Sequence, residues 1–215
     1  MKKILYLAIL AGAFFAWQQG KLPFPSFGEK PGSFDENGKP ALVIFTRDNC
    51  QGYCEKQLKR LDRRRIPYTE HRVDVDNSEQ EAHKFWKKMG RQGFPYLIAG
   101  NERFSGDSPW QLSNFLAASF GNQYLTHREK RYYKEHFNRD GTPRIVMYGT
   151  SWCGYCRKLR EELQQENIDF LEIDVEKHAD FKTLINTMGI GGYPTVWIGY
   201  KRLRSGRLGE IQKHI

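Results

Sequence analysis

The 215-residue chain is long enough for one large domain or two small ones, and its formal net charge is +9. Hydrophobic residues make up 39% of the chain, which is enough to bury ordinary cores. The four cysteines come as two close pairs, Cys50 with Cys54 and Cys153 with Cys156. So few cysteines exclude a disulfide-built scaffold, and their close pairing is typical of redox or metal sites.

Residues 1–17 have the pattern of a targeting segment, either a signal peptide or a membrane anchor. Lys2 and Lys3 precede an uncharged and almost wholly apolar run, Ile4–Trp17. The run is as long as the apolar part of a signal peptide and shorter than the roughly 20 residues of a spanning helix. Both interpretations place the rest of the chain outside the cytoplasm, secreted or anchored on the periplasmic side. The alternative is a buried N-terminal helix of a cytosolic protein, which the lack of a polar face disfavours.

Residues 18–40 have the composition of a linker. Prolines and glycines recur through the segment, and this favours a semi-extended chain that cannot build a core. They are Pro23, Pro25, Pro31, Pro40, Gly20, Gly28, Gly32 and Gly38.

Residues 41–121 have the pattern of a first α/β domain. The apolar run at 42–45 predicts a strand, and Cys50 and Cys54 follow in a turn. Cys54, Leu58 and Leu61 then form the apolar face of a helix. The later predicted elements are a strand at 68–75, a helix opened by a capping box of Ser78 and Glu81, strands at 97–99 and 102–104 after Pro95, and a last helix capped by Ser108 with Pro109 at its first position.

Residues 122–143 form a basic segment between this domain and the next, with aromatic side chains among the cations. We expect a connecting helix that ends near Asp140–Gly141. Basic and aromatic interleaving also occurs in nucleic-acid binding. Because the chain is expected outside the cytoplasm, we favour a helix that packs its aromatic side chains on a domain, and we expect no nucleic acid as a partner.

Residues 144–215 repeat the order of the first domain. A strand is predicted at 145–148, and Cys153-Gly154-Tyr155-Cys156 stands in the turn before a helix. Pro95 and Pro194 lie 99 residues apart, and Cys50 and Cys153 lie 103 apart. Shared spacing of this kind predicts two tandem βαβαββα domains. Each would hold a four-stranded mixed sheet with helices on both faces.

The position of Cys153 favours thiol chemistry. It lies where the second helix pattern begins, and there the free backbone N–H groups and the helix dipole favour negative charge. A thiolate at such a position has a lowered pKa and is the species that attacks disulfides. Cys156 lies one turn further on, faces inward and is close enough to close a disulfide with Cys153.

The strand, the C-x-x-C, the helix and the later Tyr193-Pro194-Thr195 resemble the glutaredoxin branch of the thioredoxin superfamily, from residue 144 to about 208. The resemblance implies the thioredoxin fold in both copies. It also implies that Pro194 is cis and lies against the C-x-x-C. Tyr155 and Pro194 would then shape the site around the two thiols.

The same resemblance implies how glutathione would be held, as a co-substrate and not as a bound cofactor. Glutaredoxins pair with its backbone at the residue before the cis-proline, and they contact it again from a Gly-Gly-x-Asp-like turn. Ser105-Gly106-Asp107 resembles that turn in the first copy, whereas in the second copy Arg207 follows Ser205-Gly206. The candidate binding residues are Tyr155, Tyr193 and Pro194 in the second copy, and Tyr53, Phe94, Pro95 and Asp107 in the first.

The first copy carries three residues between its cysteines, which leaves two registers open. Either Cys50 matches Cys153 and the turn bulges by one residue, or Gly52-Tyr53-Cys54 matches Gly154-Tyr155-Cys156 and Cys50 is pushed back into the loop. In both, Cys54 keeps the inward-facing position. A disulfide between them requires the two Cα atoms to come within about 7 Å.

From these observations we expect a thiol–disulfide oxidoreductase that acts on protein disulfides or glutathione mixed disulfides. Cys153 and Cys156 would be its working pair and Cys50 and Cys54 a second pair. Two other classes remain open: a non-catalytic thioredoxin-fold module that binds or assembles partners at a membrane, and a protein that binds metal through its thiolates. A metal centre of four thiolates would need both turns to face each other, which we do not expect.

Overall fold

The computed structural model describes residues 32–74, 84, 86 and 93–215 of the chain. The targeting segment predicted at 1–17, the linker up to residue 31, and the capping box predicted at Ser78 and Glu81 with the helix after it lie outside these residues. In the described part of the chain, no helix is long and apolar enough to cross a membrane.

The first copy forms a four-stranded mixed sheet. Its elements are β1 (Leu42–Thr46), α1 (Tyr53–Arg63), β2 (Tyr68–Arg72), β3 (Tyr96–Ala99), β4 (Glu102–Ser105) and α2 (Pro109–Phe120). The strand order is β2-β1-β3-β4, with β1 parallel to β2 and antiparallel to β3. The parallel pair needs the crossover that α1 provides, whereas a short turn joins the antiparallel β3 and β4.

The segment between the copies forms a short helix, α3 (His127–Tyr133), and a 3-10 turn, Lys134–His136. Thr126 and Glu129 bond to each other's backbone N–H groups and close a capping box at the start of α3. Tyr132 and Tyr133 are buried. The prediction that this segment packs its aromatic side chains on a domain is therefore confirmed.

The second copy repeats the first sheet. Its elements are β5 (Ile145–Gly149), α4 (Gly154–Gln165), β6 (Leu171–Asp174), α5 (Phe181–Met188), β7 (Thr195–Ile198), β8 (Lys201–Arg202) and α6 (Leu208–Ile211). The strand order is β6-β5-β7-β8, with β5 parallel to β6 and antiparallel to β7. The predicted tandem α/β architecture, with two four-stranded mixed sheets of thioredoxin type, is confirmed.

Some predicted ends are displaced. The connecting helix stops well before Asp140–Gly141, because Phe137 is extended and bridges to Pro143. β6 ends at Asp174, because the chain enters a 3-10 turn there, in which the Asp174 carboxylate accepts the N–H of Glu176 at 3.2 Å. β2 ends correspondingly early, at residue 72, and the last residue of its predicted span lies outside the described residues.

Residues 33–40 were expected to be linker, and the structure places them along the first sheet. Ser33 and Gly100 exchange two backbone hydrogen bonds of 2.9 and 2.7 Å at the end of β3. The Asp35 carboxylate accepts the N–H groups of Asn37 and Lys39 at 2.9 and 2.8 Å, which holds the turn between them. The amino-acid composition predicts an extended segment here, but it does not predict that the segment pairs with the chain at the end of β3.

One hydrophobic core runs through both copies. It takes one face of the first sheet with α1 and α2 and continues to Val146, Tyr148 and Trp197 on one face of the second sheet. Helix α2 lies between the copies, where Trp110 crosses Gly189 at the end of α5. A Cβ on Gly189 would stand 2.1 Å from the Trp110 ring, and this glycine also has a φ of 67°. The close approach therefore requires glycine at that position.

The other face of the second sheet carries a separate core, which holds the second cysteine pair. Alternate strand residues face α4 and α6 across it. Its members include Ile145, Met147, Val196, Leu159, Leu163 and Ile211, together with Cys153 and Cys156. Helix α6 has only four residues, and the complete burial of Ile211 docks it against this core.

Candidate functional site

Cys153 caps the N-terminus of α4, as predicted from the helix pattern. Its Sγ accepts the backbone N–H of Cys156 at 3.0 Å, so one of the free amides at the helix start already points at the sulfur. The two cysteines form a disulfide with Cα atoms 5.2 Å apart. Cys156 is completely buried and Cys153 almost so. This arrangement stabilises negative charge on Cys153 more than on Cys156.

Gly149, the last residue of β5, leaves room for the inner sulfur. A Cβ there would stand 2.8 Å from Cys156 Sγ and 3.8 Å from a carboxylate oxygen of Glu172. Glu172 in turn accepts two hydrogen bonds of 2.6 Å from the Arg160 guanidinium. The ion pair of Glu172 with Arg160 thus lies near the buried sulfur of Cys156. Sequence reasoning missed Glu172 and Arg160, because an ion pair between a strand and a helix does not alter the hydrophobic periodicity of either element.

The proline predicted to face the C-x-x-C has a cis peptide bond, Tyr193–Pro194, and so does its counterpart in the first copy, Phe94–Pro95. The Trp152 ring, immediately before Cys153, meets the Tyr193 ring edge-on with centroids 6.0 Å apart. Tyr193 also packs against the core that contains both cysteines. The two motifs, separated in sequence, therefore form one site.

Aromatic side chains border this site and remain open to solvent. Trp152 is 68% exposed and Tyr155 is 78% exposed. The Trp152 Nε1–H donates to both carboxylate oxygens of Glu176 at 3.1 Å. Burial, and then the negative charges of Glu176 and Asp174, raise the pKa of Tyr193. The sequence singled out Tyr155 but gave no signal for Glu176, which lies in a 3-10 turn.

The first pair also forms a disulfide, between Cys50 and Cys54, with Cα atoms 5.7 Å apart. Cys50 follows the end of β1 at the same interval as Cys153 follows β5, so, counted from the sheet, Cys50 matches Cys153 as in the first of the two registers. The extra residue lies in a left-handed turn, with φ of 50° at Gln51 and 74° at Gly52. Gly52 is the N-cap of α1, so Cys50 lies two residues ahead of the cap.

The remaining candidates of the first copy make contacts of their own. The Phe94 ring centre is 5.5 Å from the guanidinium carbon of Arg47 and 4.7 Å from the centre of the Trp86 ring, which stacks on it. Tyr53 opens α1 and is 42% exposed. The N–H of Gly106 donates to the carbonyl of Pro95 at 2.9 Å, which sets the turn that carries Asp107 next to the cis-proline.

The described residues contain no group of three or more His, Cys, Asp and Glu side chains arranged to hold a metal ion. The cysteines themselves are paired in the two disulfides. The arrangement therefore offers thiol–disulfide chemistry at two places, one in each copy.

The glutaredoxin family model matches residues 42–104 and again 145–203, which together exceed half of the chain. The chain belongs to the glutaredoxin family. It is 34% identical over 58 residues to a glutaredoxin of Pseudomonas aeruginosa, a stretch that covers 26% of this chain and 69% of that protein. It is also 31% identical over 88 residues to a thioredoxin domain-containing protein of Acanthamoeba polyphaga mimivirus, which covers 36% of this chain but only 25% of the viral protein.

Among solved structures, one that matches is the holo form of glutaredoxin C1 from Populus tremula x tremuloides. It has a TM-score of 0.31 and 22% sequence identity, and it covers 39% of this chain and 86% of the poplar chain. This glutaredoxin-family chain thus carries two copies of a domain, joined through α2 and α3.

Proposed function

We propose that this glutaredoxin-family protein is a thiol–disulfide oxidoreductase that works through Cys153 and Cys156. The observation that carries the proposal is the position of Cys153 at the N-cap of α4, where its sulfur already accepts a backbone N–H at 3.0 Å. Such a position stabilises the thiolate that attacks disulfides. Cys156, held in the core one turn away, is placed to resolve the product.

The reaction starts from the reduced protein. The Cys153 thiolate attacks one sulfur of the substrate disulfide, a Cys153–substrate disulfide forms, and the other substrate sulfur leaves as a thiolate that takes a proton from water. The Cys156 thiolate then attacks the Cys153 sulfur, closes the internal disulfide and releases the second substrate thiol. The substrate gains two electrons and two protons, and the dithiol loses them. In reverse, the same steps oxidise a substrate dithiol.

A small thiol restores the reduced protein, and glutathione is the co-substrate we propose for this step. Two molecules supply two electrons and leave as glutathione disulfide. The first domain supports this role best, because Asp107 follows a turn whose Gly106 N–H bonds to the carbonyl of the cis-proline Pro95. In the second domain the corresponding turn continues into Arg207. We therefore assign the exchange of larger disulfides to the second domain and a relay or binding role to the first.

The test separates the two thiols. In the full chain, Cys156→Ser should accumulate a mixed disulfide with the substrate, since nothing resolves it, and Cys153→Ser should abolish exchange. Thiol alkylation at mildly acidic pH should proceed faster at Cys153 than at Cys156. Equal alkylation rates would contradict the assignment of Cys153 as the nucleophile.

The division of labour is tested with two paired variants. Cys50→Ser/Cys54→Ser should keep most of the disulfide reductase activity, and Cys153→Ser/Cys156→Ser should lose it. Each serves as the control for the other, because both remove one buried disulfide from the same chain. If the first variant is inactive and the second is active, the first domain is the working site and the proposal is reversed.

A further inference from the structure

We propose that Trp152 and Glu176 make the second site selective for polypeptide disulfides that carry a Lys or Arg next to the reacting cysteine. The inference rests on the proposed exchange at Cys153 and adds the class of substrate. Its basis is an aromatic wall of the exposed Trp152 ring, which directly precedes Cys153 in the chain, against Tyr193, and the wall ends at the carboxylate of Glu176.

The wall is fixed in place although it faces solvent. Trp152 is 68% exposed, yet its Nε1–H bonds to both oxygens of Glu176 and its ring meets Tyr193 at 6.0 Å. An aromatic surface that is already oriented binds an apolar segment with little loss of side-chain entropy. Tyr155, 78% exposed, offers further apolar area beyond the C-x-x-C. The surface suits a polypeptide chain, which supplies side chains on both sides of its cysteine.

The carboxylate of Glu176 supplies the charge selection. In the described residues, Glu176 forms no ion pair, and its side-chain bonds are those from the Trp152 indole. The neighbouring Asp174 is already paired with Lys177 at 3.2 Å. The Arg157 guanidinium lies near Gly154, with Nη2 4.0 Å from the place of a Cβ there. The carboxylate that remains available next to Trp152 is therefore that of Glu176, to which a substrate cation would be complementary.

The described residues of the first domain form no such wall. Asn49 stands where the second domain has Trp152, immediately ahead of its first cysteine. The counterpart of Glu176 is Asp74, and its carboxylate already accepts the backbone N–H of Asp48. The selectivity we propose therefore belongs to the second site, and a small anionic disulfide such as glutathione disulfide is disfavoured there by Glu176.

The experiment uses the full chain with Cys50→Ser/Cys54→Ser, so that all exchange passes through Cys153. Two synthetic peptides with the same internal disulfide, flanked at one cysteine by Lys or by Glu, are offered to the reduced protein. The second-order rate constant with the Lys peptide should exceed that with the Glu peptide by about fivefold, the effect of roughly 1 kcal/mol for one exposed charge pair at contact. Added salt should shrink the ratio, because it screens exposed charges.

Glu176→Gln keeps an acceptor for the indole and removes the charge, so the ratio of the two rate constants should fall to about one while the faster of them drops. Glu166→Gln is the matched control, since it removes one exposed negative charge at the far end of α4, roughly 20 Å along the helix from Cys153. That control should keep the ratio. Trp152→Ala should slow both peptides.

Equal rates for the two peptides, or a ratio that Glu176→Gln leaves unchanged, would overturn the inference. These outcomes differ from failure of the proposed function, in which neither peptide is reduced and Cys153→Ser behaves like the parent protein.

Discussion

The buried imidazole of His136 should make the folded protein sensitive to mild acid. Its Nδ1–H donates to the Gly199 carbonyl at 2.8 Å, so Nε2 is the acceptor for the Tyr148 hydroxyl at 2.9 Å and the ring is neutral. Burial lowers the pKa of His136 from 6.5 to about 4, although the bond to Gly199 acts in the opposite direction. Between these values the unfolded chain binds a proton that the folded chain does not, so the free energy of unfolding falls as the pH falls.

The size of this effect follows from the two pKa values. At about 1.4 kcal/mol per unit, the difference between 6.5 and about 4 corresponds to roughly 3 kcal/mol, fully present above pH 6.5 and lost on the way to pH 4. Urea unfolding of the oxidised protein, repeated in steps from about pH 7.5 to about pH 4.5, gives the slope directly. The expected slope is close to 1.4 kcal/mol per pH unit in the middle of that range.

A variant isolates the contribution of the ring. His136→Phe should flatten the slope, while near neutral pH it should lower the free energy of unfolding by about 1–3 kcal/mol for each of the two polar groups left without a partner. His127→Gln is the control, because His127 is exposed on α3 and should leave the slope unchanged. If His136→Phe keeps the parent slope, the acid sensitivity lies elsewhere and our account of this histidine is wrong.

Three further predictions concern packing, charge and location. Gly149→Ala should lower the free energy of unfolding by about 1–3 kcal/mol, because the new methyl stands 2.8 Å from Cys156 Sγ, whereas Gly191→Ala, with open space around it, should change little. Burial alone would raise the pKa of Glu129, but its bonds from Arg64 and Ser113 hold it at about 2. Glu129→Gln should therefore cost about 3–5 kcal/mol near neutral pH, since it leaves the Arg64 charge buried and unpaired, and a loss under 1 kcal/mol would contradict this. A reporter that works only after export, fused behind the last residue, should be active if the predicted targeting segment functions, and activity of a cytoplasm-only reporter there would refute it.

The elements that sequence predicted well are those in which periodicity and turn chemistry agree. Short apolar runs and the two X-Pro positions placed both sheets, and the 99-residue offset of Pro95 and Pro194 revealed the repeat. What sequence did not predict is that the copies share a core through α2. An amphipathic pattern predicts that one face of a helix is buried, but it does not predict which surface covers that face. Trp110 packs at its position only because Gly189, distant in sequence, has no side chain.

The candidate site divides in the same way. The position of Cys153 at a helix N-terminus was predicted from the start of a helix pattern. Such a local pattern predicts the helix start whatever the helix packs against. Two interactions join residues from different elements: the hydrogen bond from Trp152 to Glu176 and the ion pair of Glu172 with Arg160. The spacing of residues within one element does not predict such interactions. Partners of this kind become visible only when the parallel strands bring the loop ends together.

The extra residue in the first domain changes where the helix begins and not where the first cysteine stands on the sheet. After Cys50 the chain takes two left-handed residues, Gln51 and Gly52, and the helix starts only at Tyr53. The free N–H groups of that helix therefore lie beyond Cys50, whereas in the second domain one of them bonds to Cys153 Sγ. Because these groups and the helix dipole stabilise a thiolate, the second pair is expected to hold the faster nucleophile. The first pair keeps bonding distance without that activation, which suits a thiol pair that relays or stores electrons for its neighbour.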